Sequence, residues 1–532
     1  MKSRTSAGRT IAAVTFILVS LGAMQALQAE QGSSGQIKAE ETKPEETKRI
    51  VAGETDFLKH CADCHGKTRL GGVGPALLPS NLSRTRKKAA IDVIKNGRAL
   101  TQMPAFSQLL DDQQIKVVAD YIYRPANVKP EWGKAQIERS RITHFSNESL
   151  SSTPVFKADM QNLFIVVETG DHHATLLDGD KFEPIHRFKT RYAVHGGPKY
   201  SPDGRFVYFA SRDGWISKFD IYNLKTVSEV RAGINTRNAA ISFDGKTIAV
   251  GNYLPNNIVL LDAEDLSLVK VIDARNDQGN SSRVSAVYTA PTRGSFVAAM
   301  KDFTEIWEIP YAPGKGQFKP RKVKTRDYLD DFFFNQDYSL VIGASRPANS
   351  QGRQKNLTGK VISLDTGKLV ADIDISGMPH LGSGITWDYQ GREVLASPNL
   401  SKGEVSIIDM QSWQTVKRLK TDGPGFFMRS HEGSRYAWVD VFFGPNKDKI
   451  HVIDKNTLEI VKTLQPVPGK TAAHIEYTKD GKFALLSIWD MDGAVIVYDA
   501  ETLKEVKRLP MVKPSGKYNV YNKTHYERGT SH

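Results

Sequence analysis

From about residue 150 to its end, the chain repeats a β-rich unit at a nearly constant interval. Each unit contains short apolar runs separated by Gly, Asp and Asn turns, and an aspartate closes the third run. These marker aspartates are Asp178, Asp220, Asp262, Asp365, Asp409, Asp454 and Asp499. Their spacing is 42 to 45 residues, apart from one gap of 103 residues that holds an additional unit without a marker around residues 285–311.

Repeats of about 40–50 residues with four strands each are typical of β-propeller blades. The marked and unmarked units together predict an all-β eight-bladed propeller over residues 145–532, with seven blades as the alternative. A ring of eight blades leaves a central channel wide enough for a flat ligand. Residues 510–532 exceed the last unit, so we expect them to run over one face or to close the ring.

A second feature lies in the N-terminal part, where Cys61-Ala62-Asp63-Cys64-His65 has the C-x-x-C-H pattern of covalent haem attachment. Two thiols at this spacing can bond to the vinyl-derived carbons of one porphyrin, and His65 can then bind the iron. The sequence contains no other cysteine. A four-ligand zinc site is therefore unsupported, and a disulfide between these two residues would close a tiny loop and stabilise little. We predict a covalent haem c held by Cys61, Cys64 and His65.

The sequence around this motif predicts a compact α-helical domain over residues 49–130. Helical spacing occurs at 50–60, at 87–96 and at 111–123. Met103-Pro104 lies between the last two of these helices, and Met103 follows His65 by 38 residues. This order resembles a class I cytochrome c, and the resemblance implies that Met103 is the sixth ligand of the iron. The alternative is that Met103 only packs against the haem while another residue binds.

Residues 1–29 have a basic start, an apolar run and a final alanine, which predicts a secretory signal peptide cleaved after Ala29. An uncleaved N-terminal anchor is the alternative. Residues 30–48 are polar and charged, so we expect a flexible linker. Because haem is attached to this motif outside the cytoplasm, we expect a periplasmic protein with no membrane span after cleavage. The net charge of +13 is modest. It suits a polycarboxylate ligand and gives no reason to expect a nucleic-acid partner.

Several motifs in the repeat region, together with the haem motif, resemble the cytochrome cd1 family. Tyr192-Ala193-Val194-His195 and Gly516-Lys517-Tyr518-Asn519-Val520-Tyr521-Asn522 carry the resemblance, as do Arg212 and Arg237 at similar points of successive units. The resemblance implies that His195 binds the iron of a d1-type haem on the propeller axis. It also implies that Arg212 and Arg237 hold its carboxylates, to which a guanidinium can bind as a fork. Judged without the family, His195 would more often be a solvated or hydrogen-bonded histidine.

The distal residues separate the branches of this family. His380, in Met378-Pro379-His380-Leu381-Gly382, matches one of two histidines that the nitrite reductases place above the iron. The position of the second reads Tyr328-Leu329-Asp330-Asp331-Phe332-Phe333, without a histidine, so we expect Asp330 and its neighbours to face the iron there. Residues 423–431 and 438–445 instead resemble the dihydro-haem d1 dehydrogenase branch, which oxidises a propionate of its substrate to an acrylate.

This resemblance implies an oxidoreductase that removes two protons and two electrons from dihydro-haem d1 and passes the electrons through haem c. We expect His474 to be the general base, with His380 above the ring and Tyr518 beside the carboxylate. For His474, the alternative is a buried histidine bonded to a backbone carbonyl. Expected partners are a small periplasmic cytochrome or cupredoxin as electron acceptor and the cd1 nitrite reductase as receiver of haem d1. Two other functions stay open: nitrite reduction, and binding or transfer of haem d1.

Overall fold

The computed structural model describes residues 44–72, 74–82, 85–97, 103–126, 130–194, 197–314, 316–346, 357–377 and 379–525. The chain divides into two units after residue 51. The predicted signal peptide lies outside the described residues. Within the described ranges, no helix is both long enough and apolar enough to cross a membrane.

Helices dominate the part of the chain before the repeats. They are α1 (Pro44–His60), α2 (Ala62–His65), α3 (Pro79–Leu82), α4 (Lys87–Asn96), α5 (Asp112–Ile122) and α6 (Lys134–Ser140). The three predicted helices are therefore confirmed. Helix α1 begins within the segment expected to be a linker. The helix begins at Pro44, and proline is favoured at the first position of a helix.

Helices α4 and α5 and the end of α1 enclose one apolar cluster around Phe57, Ile94 and Val118. Helix α5 starts where its sequence predicts, because Asp111 and Gln114 form a capping box. The Asp111 carboxylate accepts from the Gln114 N–H at 2.7 Å, and the Gln114 amide oxygen accepts from the Asp111 N–H at 3.1 Å. Gly53 lets α1 lie close to α5, since a Cβ at that position would be 2.6 Å from the Val117 carbonyl oxygen.

The remainder of the described chain forms eight antiparallel sheets, each of them one blade. Blade 1 combines β2 (Leu163–Glu168), β3 (His173–Asp178) and β4 (Glu183–Lys189) with the last strand, β33 (Pro514–Asn519). Blade 2 contains β5 (Lys199–Tyr200), β6 (Phe206–Ala210), β7 (Trp215–Asp220) and β8 (Lys225–Arg231), with β1 (Ile142–Thr143) as a fifth strand beside β8. Blade 3 contains β9 (Asn235–Ile241), β10 (Thr247–Leu254), β11 (Asn257–Asp262) and β12 (Leu268–Asp273).

Blade 4 contains β13 (Val284–Ala290), β14 (Ser295–Met300), β15 (Glu305–Pro310) and β16 (Arg321–Lys324). Blade 5 contains β17 (Tyr328–Phe334), β18 (Leu340–Arg346), β19 (Leu357–Ser363) and β20 (Leu369–Gly377). Blade 6 contains β21 (Ile385–Tyr389), β22 (Arg392–Pro398), β23 (Glu404–Asp409) and β24 (Thr415–Lys420).

Blade 7 contains β25 (Met428–Ser430), β26 (Tyr436–Asp440), β27 (Ile450–Asp454) and β28 (Glu459–Leu464). Blade 8 contains β29 (Ala472–Tyr477), β30 (Phe483–Ile488), β31 (Gly493–Asp499) and β32 (Glu505–Met511). A short helix, α7 (Val520–Thr524), follows β33. In the described part of the chain, 3-10 turns occur at Asn147–Ser149, Met160–Asn162, Pro291–Arg293 and Leu381–Ser383.

The marker aspartates explain why the repeat has its regular turns. The Asp220 carboxylate accepts hydrogen bonds from the N–H groups of Tyr222 and Asn223, at 2.8 and 3.2 Å. Asp409 does the same for the two turn residues that follow Met410, at 2.9 and 2.8 Å. An aspartate at this position shapes the turn between the third and fourth strands of a blade, because its side chain replaces a backbone acceptor.

The last strand closes the ring. Strand β33 pairs with β2 in antiparallel register, with Tyr518 opposite Ile165 and Lys517 opposite Val166. It therefore supplies the innermost strand of blade 1, which the N-terminal end of the repeat region leaves open. This confirms eight blades. Of the two roles expected for the C-terminal stretch, it confirms that of closing the ring.

Removing β33 should unfold the ring. A chain that ends at residue 512 leaves the buried strand β2 without its ladder partner, and each backbone group left unsatisfied costs about 1–3 kcal/mol. We expect loss of the cooperative thermal transition, measured by far-UV circular dichroism. A control chain that ends at residue 525 keeps all eight sheets and should melt like the full chain. A cooperative transition at the parental temperature in the shorter chain would contradict this account of closure.

Candidate functional site

The haem motif lies on the short helix α2, with Cys61 immediately before it. His65 is buried, and its Nδ1 donates a hydrogen bond to the Pro75 carbonyl oxygen at 2.8 Å. A carbonyl only accepts, so the proton is on Nδ1 and Nε2 keeps the lone pair that an iron ligand needs. Burial also lowers the pKa of His65, which favours the neutral ring. The residues present therefore fit a covalently attached c-type haem.

Met103 is half-buried and packs against the apolar cluster that contains Cys61 and Phe106. The structure therefore places the predicted sixth ligand in the same cluster as the haem-binding cysteine. Residues 98–102, which lead into it, lie outside the described residues.

A buried arginine joins the helical part of the chain to the propeller. Arg231, at the end of β8, donates from Nη2 to the Leu70 carbonyl at 2.6 Å and from Nε to the Asp213 carbonyl at 2.8 Å. Its guanidinium lies over the Trp132 ring, 4.5 Å from the centroid. Asp213 follows Arg212, while the neighbouring Gly71 donates its N–H to the His65 carbonyl at 2.9 Å. One guanidinium thus links the haem motif with a turn at the channel.

A continuous chain of aromatic rings borders the channel. It runs from His380 to Phe426 at 4.2 Å, to Phe427 at 4.5 Å, to His474 at 4.9 Å and to Tyr518 at 5.1 Å between ring centroids. The three residues predicted to be catalytic come from stretches about 40 to 140 residues apart in the sequence. The structure brings all three together, with two phenylalanines between the histidines.

His380 has a defined orientation. Its Nδ1 donates to the Phe426 carbonyl oxygen at 2.7 Å, so Nε2 carries the lone pair. Burial lowers the pKa of His380, and the negative charge of Asp331 opposes that change. The ring is therefore a neutral acceptor at Nε2.

His474 lies in a β-bulge of the innermost strand of blade 8. Ala473 and Ile475 pair with consecutive residues of β30, so His474 is the extra residue, and its φ of 55° is left-handed. Its Nδ1 is buried and has no hydrogen-bond partner among the residues that the structure describes. Burial lowers the pKa of His474 well below its usual value, and the positive charges of Lys517, Arg429 and Lys523 lower it further. A hydrogen bond to its own backbone opposes this lowering of the His474 pKa, so the alternative of a side chain bonded to a backbone carbonyl stays open.

Tyr518 faces His474 from β33. Gly197 packs on its ring, since a Cβ at Gly197 would lie 2.8 Å from a ring carbon. Burial raises the pKa of the Tyr518 hydroxyl, so the group stays protonated near neutral pH. A protonated hydroxyl beside a neutral imidazole can donate to a carboxylate while the histidine accepts a proton.

The two arginines expected to bind carboxylates lie on neighbouring backbone segments. The Arg212 N–H donates to the Ala193 carbonyl, and the Arg212 carbonyl accepts from the Thr236 N–H, both at 3.1 Å. Arg237 donates from Nε to the Ser285 carbonyl at 2.9 Å. His195 itself lies outside the described residues.

At the expected distal wall, Asp330 and its neighbour Asp331 have different partners. Asp330 does not present a free negative charge, because the Lys301 ammonium pairs with its carboxylate at 2.7 Å. The neighbouring Asp331 instead lies near His380, accepts from the Tyr288 hydroxyl at 2.9 Å and is 3.8 Å from the Arg237 guanidinium. A bulge between Leu329 and Asp331 causes the difference, since an extra residue reverses the sides to which side chains point.

Comparisons with known proteins agree with this geometry. Residues 158–523 match the family model described as the cytochrome D1 heme domain, and residues 48–122 match cytochrome C oxidase, cbb3-type, subunit III. The chain belongs to the cytochrome D1 heme-domain family. The dihydro-heme d1 dehydrogenase of Pseudomonas aeruginosa is 57% identical over 480 residues, which are 90% of this chain and 96% of that protein.

Two further relatives place the chain within the family. A solved structure of dihydro-heme d1 dehydrogenase NirN in complex with DHE has a TM-score of 0.85 at 57% identity, over 89% of this chain and all of that one. The nitrite reductase of Stutzerimonas stutzeri is 26% identical, over 93% of this chain and 95% of its own length. The expected relationship to the cytochrome cd1 family, the c-type domain and the propeller are confirmed.

Several residues that shape the site were not identified from the sequence. Phe426 and Phe427 were seen only as part of a motif, although they connect the two histidines. Asp440 and Lys517 are fully buried and lie next to the backbone of His474. The signal for Asp440 and Lys517 is an ionisable residue at a position where most other repeats have a small or apolar one.

Arg231 should be needed to hold the helical part against blade 2. In Arg231→Met the carbonyls of Leu70 and Asp213 lose their donor, and each buried unsatisfied group costs about 1–3 kcal/mol. We expect faster amide hydrogen exchange around residues 69–72 and a lower free energy of unfolding. Arg141→Met removes an exposed ion pair with Asp265 and serves as the control, with an expected change within about 0.5 kcal/mol. Equal exchange in both variants would contradict the role given to Arg231.

Proposed function

We propose that the protein is a periplasmic dihydro-haem d1 dehydrogenase that oxidises a propionate side chain of its substrate to an acrylate. The observation that carries the proposal is the continuous chain of aromatic rings, called the ring chain below, that joins His380, His474 and Tyr518 at one channel wall. The 57% identity to a dihydro-heme d1 dehydrogenase over 90% of the chain supports the choice of substrate. The reaction releases two protons and two electrons for each carbon–carbon double bond that it forms.

The substrate is a flat macrocycle with an iron centre and several carboxylates, and the channel offers a matching group for each part. His195 would bind the iron, while Arg212 and Arg237 would bind carboxylates as forks. The rings of Phe426 and Phe427 provide apolar contact for the macrocycle between the histidines. With its carboxylates held in this way, the reactive side chain would be fixed beside His474 and Tyr518.

His474 is our proposed general base. It must be neutral to accept a proton, and its lowered pKa keeps it neutral well into the acidic range. The buried Nδ1, which lacks a partner among the described residues, is an acceptor position inside the site. Tyr518 would hold the carboxylate of the reacting side chain through its hydroxyl. His380, oriented by the Phe426 carbonyl, would present Nε2 to the macrocycle.

Electrons would leave through the N-terminal part of the chain. Held by Cys61, Cys64 and His65, with Met103 as the proposed sixth ligand, a c-type haem supplies a one-electron carrier. Arg231 fixes this part of the chain against the turn that bears Arg212. A small periplasmic cytochrome or cupredoxin would accept the electrons, and the cd1 nitrite reductase would receive the finished haem d1.

Replacing Met103 tests the haem ligand. In Met103→Ala, haem attachment should persist because the cysteines and His65 are intact, while the reduction potential should fall because the thioether ligand is lost. The absorption band of thioether–iron bonding in the red should also disappear. An absorption spectrum and a redox titration measure both effects. If neither changes, Met103 only packs against the haem.

Replacing the three proposed catalytic residues tests the reaction. His474→Ala should lower the rate of acrylate formation by about 10²–10⁴-fold, the usual effect of losing a general base, while substrate binding is largely kept. His380→Ala and Tyr518→Phe are compared under the same conditions, with pigment extraction and mass spectrometry as the assay. Because the pKa of His474 is lowered, the parental rate should decline with acid only at a pH well below 6.5.

His451→Ala gives a matched control. That histidine is buried in β27, and its Nδ1 forms a hydrogen bond with the Thr463 hydroxyl, outside the ring chain. Conversion at the parental rate by His474→Ala would remove the base assignment. If neither the parent nor any variant converts the substrate, the dehydrogenase function is excluded. Binding or transfer of haem d1 would then be the remaining function.

A further inference from the structure

The backbone of His474 is held by two buried ionisable residues from different strands. Asp440, the last residue of β26, and Lys517, in β33, both have 0% of their surface exposed. The His474 N–H points to Asp440 Oδ2 at 3.5 Å, and the His474 carbonyl accepts from the Lys517 ammonium. We call Asp440 and Lys517 the flanking pair.

The bulge explains why these backbone groups need such partners. Since His474 is the extra residue between Ala473 and Ile475, its own N–H and carbonyl are outside the ladder with β30. A non-glycine residue with left-handed φ is also strained, and it persists only where its surroundings hold it. The flanking pair fills both requirements, with one partner for each backbone group.

The same aspartate also supports the other histidine. Asp440 Oδ1 accepts from the N–H groups of Phe426 and Phe427, at 2.7 and 3.0 Å. The Phe426 carbonyl in turn accepts from His380 Nδ1. One carboxylate therefore fixes the segment that orients His380 and contacts the bulge that presents His474.

Two other bulges in the innermost strands lack the left-handed backbone of His474, although the Ser285 carbonyl in one of them also accepts from a charged group, Arg237 Nε. Ser285 in β13 and Asp330 in β17 also occupy bulges, but neither has a positive φ. Burying two ionisable groups is costly, and a bulge can be satisfied by neutral groups. The bulge at His474 differs in its left-handed φ and in having a buried ionisable partner on each of its two backbone groups, so we look to the chemistry of His474.

We propose that Asp440 and Lys517 are positioning residues that set the location of the His474 ring and, through Phe426, that of His380. The proposal rests on the function proposed above. Each residue would act through the backbone of His474 and not by touching the substrate. Lys517 has a second effect, because its positive charge acts on the imidazole and favours its neutral form.

The groups facing His474 come from several elements. Lys517 and Tyr518 face it from β33, Arg429 from β25, Lys523 from α7 and Asp440 from β26, while Glu476 lies on its own strand. Burial raises the pKa of Asp440 to about 7 and lowers that of Lys517 to about 7. Of these groups, Lys517 is the one whose removal takes away both a backbone partner and a nearby positive charge.

Two substitutions should give different signatures. Lys517→Met leaves the His474 carbonyl without its donor, so kcat should fall by about 10²-fold through misplacement of the ring, with little change in substrate Kd. Loss of the positive charge should also raise the pKa of His474 and move the acidic limb of the kcat profile to higher pH. Asp440→Asn turns an amide donor toward the His474 N–H, so kcat should fall without an upward shift of that limb.

Control and rescue variants separate positioning from folding. Lys517→Arg keeps a charged donor and should restore the position of the acidic limb and part of kcat. Asp220→Asn changes another fully buried aspartate, paired with Arg205 at 2.8 Å in blade 2, and should leave kcat and the limb unchanged. Thermal unfolding and the spectral titration of bound dihydro-haem d1 are measured for every variant.

The outcomes decide between the possibilities. The proposal would be overturned if Lys517→Met and Asp440→Asn both kept the parental kcat and the parental position of the acidic limb of the kcat–pH profile. If a variant loses both substrate binding and the cooperative thermal transition, the role of the replaced residue is purely structural. This result would also overturn the proposal. The pKa of His474 can be measured without turnover by NMR of ¹³C-labelled histidine, with His474→Ala for assignment. A raised pKa in Lys517→Met would support the proposal even if the parent failed to convert the substrate, which is the failure of the proposed function alone.

Discussion

The pairing of β33 with β2 is the interaction on which the rest of the structure depends. It joins the end of the chain to the start of the repeat region and turns a row of sheets into a ring. Only a closed ring has a channel, and the channel is where the inner strands of distant blades meet. Lys517 and Tyr518 belong to this same strand, so the contact that closes the fold also completes the candidate site.

The fold was predictable because each blade carries its own signal. An aspartate that accepts from two turn N–H groups is a local requirement, and local requirements leave a periodic mark in a sequence. The haem motif was predictable for the same reason, since Cys61, Cys64 and His65 are close in the chain. His380 and Tyr518 were named through resemblance to a family, and His474 from its place at the start of the last blade, because no local pattern shows that the three meet.

Two features could not be predicted from the sequence: the contacts between blades, and the side of a strand to which each side chain points. The bulge in β17 shifts the side chains that follow it by one position, so Asp331 rather than Asp330 lies beside His380 and Arg237. The bulge at His474 changes its partners in a similar way, and it gives Asp440 and Lys517 a role that their own repeats do not suggest. Both are consequences of backbone register, which depends on the packing of whole sheets.

The position of Tyr518 has a consequence for the order in which the protein matures. The haem motif occupies the first part of the chain to be made, whereas Tyr518 lies in the final strand and faces His474 from the preceding blade. A nascent or interrupted chain can therefore contain every residue needed to attach haem while it still lacks the wall that would receive a second tetrapyrrole. The topology of the ring thus allows the covalent pigment to be attached before the wall for a second tetrapyrrole exists.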